Sequence, residues 1–528
     1  MHGYAFNMKI RLILLYLSMM PLLALAEEMD EFVTPAISVL GRTGEEKSGT
    51  GAHTPTVSEI SGLRLERKRA ATLGETISRE AGVTSSFFGP NASRPVIRGM
   101  DGERLKILQD GLGTQDASGT SPDHSVSLDP LLIERIEIVR GSGSLLYGNS
   151  AIGGAVNTVS SRIPEKLEFG TLLKENSRLS SNDLGRSMGL VFGKSFGRVA
   201  LHLDGMTRAS NDYEVPGFLR SLRLREAAPL AAGTEEAHGR VPNSGAQALE
   251  AGIGTSYVLD NGYMGASFSA FGTQYGTVAE PDITIHMNRQ RLESSSELRQ
   301  LGELESVRIK SVVSRYQHQE IEGGDQIATT FMNIATENRV EFKHRPMAAF
   351  SGILGIHQKY FNLSVAGEEA FIPTTQNSSL AAFLHEEGAL GDFTPSFGLR
   401  FDPSWIYAQT DSRFGSSVKW YAPGSMAIGA LYRVGAGFSL GLNSSLTSRA
   451  PNYQELFANG PHLATGIFEV GRSEFALEVG RSLELSVLHE SQSGQGRINL
   501  FAQSFANYIA LNPTGTTDAS WLLPIYEY

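Results

Sequence analysis

Tyr257-Val258-Leu259-Asp260-Asn261-Gly262-Tyr263-Met264-Gly265-Ala266-Ser267-Phe268-Ser269-Ala270-Phe271 reads as two strands joined by a tight turn. Asp-Asn-Gly at the centre suits the left-handed backbone that a short hairpin turn demands. The same texture recurs along the chain. Val199, Leu201 and Leu203 fall on one face of a strand, with His202 and Asp204 on the other. Leu483, Leu485 and Val487 likewise oppose Ser482, Glu484 and Ser486. Longer polar stretches, Arg208 to Asn243 and Glu322 to Asn338 among them, separate such runs. In water, alternation marks a strand with one face on a core. In an exported chain it equally marks a membrane barrel, apolar toward lipid and polar toward the lumen. Short turns alternating with long polar connections favour the barrel, and an array of soluble β-sandwiches is the alternative.

Composition narrows the class. The chain has 528 residues and 45 basic against 56 acidic side chains, a net charge of −11 that offers no nucleic-acid footprint. It has no cysteine, which excludes disulfides and thiolate metal sites and leaves His, Asp and Glu as strong ligands. Glycine, at 57 residues, is about 11% of the chain against a usual ~7%. With 41% apolar residues and a mean hydropathy of −0.14, this is an all-β composition, neither disordered nor helical-membrane. Residues 1–26 read as a secretory signal: Lys9 and Arg11, the uncharged run Leu12 to Ala26, and Ala24-Leu25-Ala26 for cleavage. Translation is as well begun at Met8, and the run is too short for a helical span of ~20 residues. Residues 27–50 form an arm, residues 51–164 a compact mixed domain, and residues 165–528 the strand-rich region. In the mixed domain Thr72 and Glu75 give a capping-box pattern for a helix over Thr72 to Glu80. Arg104 to Leu108 and Ile136 to Val139 read as strands, punctuated by glycines 99, 111, 141, 148, 153 and 154.

That domain carries an ordered series of motifs: Pro95-Val96-Ile97-Arg98-Gly99, Leu108-Gln109-Asp110-Gly111, Ile133 to Gly141 (IERIEIVRG), Leu145-Leu146-Tyr147-Gly148 and Ala151 to Asn157 (AIGGAVN). The series closely resembles the plug domain of TonB-dependent outer-membrane receptors. Ser448 to Gly471, with Arg449-Ala450-Pro451, Glu455-Leu456-Phe457 and Gly460-Pro461-His462, is similar to part of the same family's barrel. The resemblance implies an all-β transmembrane barrel with an N-terminal mixed α/β plug inside its lumen, in the outer membrane of a Gram-negative bacterium. It also implies a monomer importing its substrate with energy from an inner-membrane TonB partner. That partner adds a strand to an extended segment, here Thr34, Pro35, Ala36, Ile37, Ser38 and Val39. Arg98, Glu134, Glu137 and Arg140 are charges expected to pair with the barrel lumen.

Within the family the chain looks most like the zinc-importing branch. Ser121-Pro122-Asp123-His124 lies in a polar plug loop, Gly113 to Asp129; His318-Gln319-Glu320 ends a strand beginning near Ile309; His462 follows later. The resemblance carries ligand roles onto Asp123, His124, Glu320 and His462, with Zn²⁺ as transported substrate and not as a catalytic cofactor. Two imidazoles and two carboxylates suit a four-coordinate zinc site, although Cu²⁺ or Ni²⁺ would accept the same donors. One departure stands against zinc: Tyr275 to Arg291, where relatives carry a long histidine-rich outer loop, holds only His286. The alternatives are a receptor for an iron chelate or haem, using Phe87, Phe88, Arg94 and Tyr453, and a non-transporting barrel remnant or surface-binding protein. No nucleophile-elbow pattern is present, and no Gly-Lys-Ser/Thr follows Gly141-Ser142-Gly143, so an enzyme is not expected. At roughly 23 residues per strand, residues 165–528 supply about 16 strands, fewer than the family's 22. Trp521 to Tyr528 contains Pro524 and no clean alternation, so the barrel reads as C-terminally incomplete.

Overall fold

The computed structural model describes residues 57–528 except 168–169, 231–234, 368–369, 411–414 and 492–493. The signal segment, the arm and the Thr34 to Val39 candidate lie outside the described residues.

Alternating apolar residues in the mixed domain close a five-stranded sheet in the order Val57–Ser61, Arg135–Val139, Gly154–Val159, Leu105–Gln109, Leu112–Gly113. Its pairings are antiparallel except that between Leu105–Gln109 and Gly154–Val159, which is parallel. Ile60, Leu65, Ile77, Ile136, Ile138 and Val156 fill its core. The Thr72 side chain accepts the Glu75 N–H at 3.3 Å, but the helix it caps spans only Leu73–Ile77, because the chain turns back into the strand Val83–Ser85. A fully reciprocal capping box sits elsewhere, with Asn452 and Glu455 opening the helix Tyr453–Phe457. Gly154 has φ 134°, and a Cβ there would meet the Val139 carbonyl at 2.6 Å, so only glycine fits.

The second region forms the barrel. Its described ladders run unbroken from Thr171–Leu179 through successive antiparallel neighbours to Gly494–Ala506, in the order of a closed barrel. Phe393–Phe401 and Ser404–Ala408 are halves of one stave broken at Pro403. Ser417–Tyr421 and Gly424–Gly435 are halves of the next, broken at Pro423. Proline brings no N–H to a ladder. Joined across those breaks, the described strands make fifteen staves. The hairpin Ala246–Leu259 and Gly262–Gly276 turns at Asp260-Asn261, pairing Leu259 with Gly262, although none of Asp260, Asn261 and Gly262 takes the left-handed backbone expected there.

Burial decides between barrel and sandwich. Leu483, Leu485 and Val487 are exposed, while Glu484 and Ser486 between them are buried; Val199 and Leu203 are exposed and His202 is buried. Polar faces turn inward onto the plug and apolar faces turn outward, the inverse of a soluble sheet. Two expectations are corrected. Glu322 to Asn338 is mostly the strand Gln326–His344, and Tyr275 to Arg291 is two strands with a short connection, not a long outer loop. Pro524–Glu527 is no stave. It pairs parallel to Ile467–Val470 in a small four-stranded sheet with Asn459–His462 and Asn512–Thr517.

Barrel cations hold the plug largely by its main chain. Arg339 and Arg400 donate to the Leu146 carbonyl at 2.6 and 3.4 Å, Arg291 to the Gly113 carbonyl at 2.8 Å, and Lys310 to the Asp110 carbonyl at 2.7 Å. Ion pairs add to this grip: Arg98 with Glu484 at 2.8 Å and Arg104 with Glu478 at 2.8 Å. Of the plug charges expected to face the lumen, Arg98 does so, and Glu134 stands 4.0 Å from Lys174. Arg140 and Glu137 do not. Arg140 donates to Ser58 Oγ and the Ala81 carbonyl, and Glu137 accepts from Arg135 and Asn157, all within the plug.

Candidate metal centre

The strand Leu304–Glu322 has a side-chain period of two, so Tyr316, His318 and Glu320 share its lumen face. From the plug, the loop between Leu112–Gly113 and the turn Pro130–Leu132 brings His124 against them. The ligand atoms of His124, His318 and Glu320 all lie within 4.8 Å of one another. Glu320 Oε1 stands 3.5 Å from His124 Nε2 and 3.7 Å from His318 Nε2. The two imidazole centroids are 4.1 Å apart, and Phe331 meets both edge-on at 5.0 and 5.2 Å. Both rings are buried.

Their orientation suits a cation. His124 Nδ1 lies 3.0 Å from the Ala117 carbonyl, which can only accept, so the proton sits on Nδ1 and the Nε2 lone pair of the neutral ring faces Glu320. His318 Nδ1 lies 3.1 Å from the Tyr316 hydroxyl, and its buried Nε2 has no hydrogen-bond partner. An orphaned ring nitrogen aimed at a carboxylate and a second imidazole is what a metal ion would satisfy. Burial pushes the His124 pKa down, but the Asp123 and Glu320 carboxylates outweigh it and hold the value above the ordinary 6.5.

The four sequence-derived ligands divide. His124 and Glu320 come together, with Asp123 adjoining and acting on His124 through its charge. His462 does not join them directly. Ser121 donates to Asp123 Oδ1 and stands 2.7 Å from His462 Nε2, while His462 Nδ1 lies 2.6 Å from Glu469 Oε1. Gln454 and Tyr528 donate to that same carboxylate at 2.9 and 3.1 Å, and the ring stacks on Phe371 at 4.6 Å. Both nitrogens of His462 are thus engaged, one hydroxyl away from Asp123. His318 is the member the ligand set lacked. Its signal was present as His318-Gln319-Glu320, since positions two apart on a strand face the same way. The residues proposed for a chelate have other surroundings. Phe87 is exposed, Phe88 packs against the apolar cluster that includes Phe271 and Tyr275, Arg94 donates to the Ser118 carbonyl, and the Tyr453 hydroxyl pairs with Thr120 at 2.9 Å.

Residues 52–155 match the TonB-dependent Receptor Plug Domain, and residues 240–522 match the family described as TonB dependent receptor-like, beta-barrel. The chain belongs to the TonB-dependent receptor family. The barrel is accordingly an outer-membrane barrel, and no helix among the described residues is long and apolar enough to cross a membrane. An iron-regulated outer membrane virulence protein of Vibrio cholerae serotype O1 is 23% identical over 451 residues, covering 83% of this chain and 64% of that protein. The receptor chain therefore spans just under two thirds of that relative's length. A hemin receptor of Yersinia pestis is 36% identical over 121 residues, 22% of this chain and 17% of its own. Among solved structures, the copper transporter OprC shares the fold with a TM-score of 0.72 at 14% identity, covering 90% of this chain and 75% of that one. The FrpB iron transporter of Neisseria meningitidis does so at 0.69 and 14%, covering 89% and 74%.

Proposed function

We propose that this TonB-dependent receptor imports a bare divalent metal ion, zinc foremost, into the periplasm with a TonB protein as energy source. The observation that carries the reading is the convergence of His124, His318 and Glu320, with the His318 Nε2 buried and unpartnered. The donors are nitrogen and oxygen only, as zinc accepts, with the charge of Asp123 beside them. Copper(II) binds such donors more tightly in general, so the preference for zinc rests on the sequence resemblance. Ligands divided between plug and wall give a route to release: movement of the plug withdraws His124 while His318 and Glu320 stay on the barrel.

Titration of Zn²⁺ into the folded full chain in detergent tests this, alongside His318→Ala and His124→Ala. A Zn²⁺ affinity lowered more than ~100-fold but still measurable in both variants, with the barrel still folded, is expected. Unchanged binding in both, or none in the parent, overturns the reading. The iron-regulated and hemin-binding relatives favour a second reading, import of an iron chelate or haem. Haem binding by a parent that ignores Zn²⁺ would establish it.

A further inference from the structure

Tyr275 lies near the end of the strand Gly262–Gly276, fully buried on the barrel wall, and packs in a cluster with Ala117, Tyr316, Ile285 and Met287. Its hydroxyl donates to the Asp123 carbonyl at 3.0 Å and accepts the Ser125 N–H at 2.9 Å. A phenol has one proton to give, and a carbonyl can only take it, so both directions are fixed by chemistry. The two main-chain groups flank one residue, His124. One barrel hydroxyl thus clasps the plug backbone on both sides of a candidate ligand, while the Ala117 carbonyl sets that ligand's ring from the far side.

We infer that Tyr275 is the positioning residue for His124, fixing where the plug's imidazole meets His318 and Glu320 and so setting the affinity of the metal seat. The inference rests on the metal-import reading of that seat. Tyr275 does not touch the ion; it acts through the backbone of Asp123, His124 and Ser125. Nothing in its packing needs the oxygen, because the ring lies in an apolar cluster and the hydroxyl is spent wholly on this clasp. Outer partners of metal-binding histidines are commonly worth 10–100-fold in affinity.

The test is a double-mutant cycle read by Zn²⁺ titration of the full-length folded protein, with affinity expressed per folded barrel. Tyr275→Phe keeps the ring in its cluster and is expected to weaken Zn²⁺ binding about tenfold. In a His124→Ala background the same substitution is expected to add nothing, since the group it positions is gone. A general loosening of the fold would weaken both backgrounds alike. Tyr275→Leu supplies a second hydroxyl-free variant should the phenylalanine form not fold. An unchanged affinity in Y275F, or an equal loss in both backgrounds, overturns the role of Tyr275. Failure of the parent to bind Zn²⁺, or of H124A to weaken binding, overturns the metal seat itself.

Discussion

Two of the histidine–carboxylate groups buried between plug and wall differ in one respect that separates their roles. At the outer group, His318 Nε2 is unpartnered and faces Glu320 and His124. At the deeper group, His357 Nε2 lies 2.6 Å from Glu337 Oε1, and Arg400 donates to His357 Nδ1 at 3.4 Å. The other oxygen of Glu337 accepts the Gly113 N–H at 3.0 Å and the Gln115 side-chain amide at 2.6 Å. Every polar atom of that pair is engaged, two of the bonds coming from the plug, and an arginine stands beside it. The deeper group is a bracket that docks the plug, and a cation has no open position there. Histidine beside glutamate is therefore not the signature of a metal seat. A ring nitrogen left over after the hydrogen bonds are counted is the better one.

The largest effect should come from breaking the bracket. Glu337→Ala strands His357, the Gly113 N–H and the Gln115 amide, and should cost about 3–5 kcal/mol of plug docking. Denaturant unfolding and protease access to the plug read this. A stability within about 1 kcal/mol of the parent would erase the distinction drawn above. The outer group should respond in the opposite sense: His318→Ala or Glu320→Gln reduces Zn²⁺ affinity more than ~100-fold, beyond the range for outer partners, with little change in unfolding. His357→Ala, by contrast, should leave Zn²⁺ affinity nearly unchanged, and a loss equal to that of H318A would make both groups seats.

Acidity sharpens the contrast. His124 has a raised pKa, so in the metal-free protein its charged form contributes stability that is fully present below pH 6.5 and lost as the pH rises through the raised value. Metal binding runs the other way because it needs the neutral ring. Zn²⁺ affinity should therefore fall about tenfold per pH unit once the pH drops below that raised value, as one proton competes for the seat. Calorimetry across pH 5.5 to 8 shows it, and a flat profile would remove His124 from the ligands. A smaller effect than at the three ligands is expected at His462, whose nitrogens already face Ser121 and Glu469. His462→Ala should weaken binding by ~10-fold, as an outer partner does; a loss matching H318A would show that the ring swings in to ligate.

Much of this was legible from the residues because the chemistry is local. The plug motifs, the 260–261 turn and the alternation at 482–488 each state a backbone or a face within a few positions. The two stretches misread as loops share one cause. Glu322 to Asn338 looked like a loop because the staves run well past the bilayer band, and beyond it neither face need be apolar. Tyr275 to Arg291 was misread for the same reason. Within the site, His124 and Glu320 were legible, whereas the unpartnered state of His318 is a property of three elements at once. No spacing in the chain encodes which nitrogen is left without a partner. The engagement of His462 by Glu469 was equally hidden, since it depends on how Asn459–His462 and Ile467–Val470 fold back on each other.

The barrel's hold on Leu146, Gly113 and Asp110 is made through carbonyls, groups that every residue carries. Such a hold reads the path of the plug's backbone and is indifferent to which side chains decorate it. Charged donors on a main-chain oxygen are each worth roughly 1.5–3 kcal/mol whatever the residue. As far as these contacts go, the plug's side chains at these points are not read, while the arginines and lysine of the wall are indispensable. Over time the container should be the more constrained partner at these contacts, and a foreign plug tracing the same path should be gripped by them as firmly as the native one.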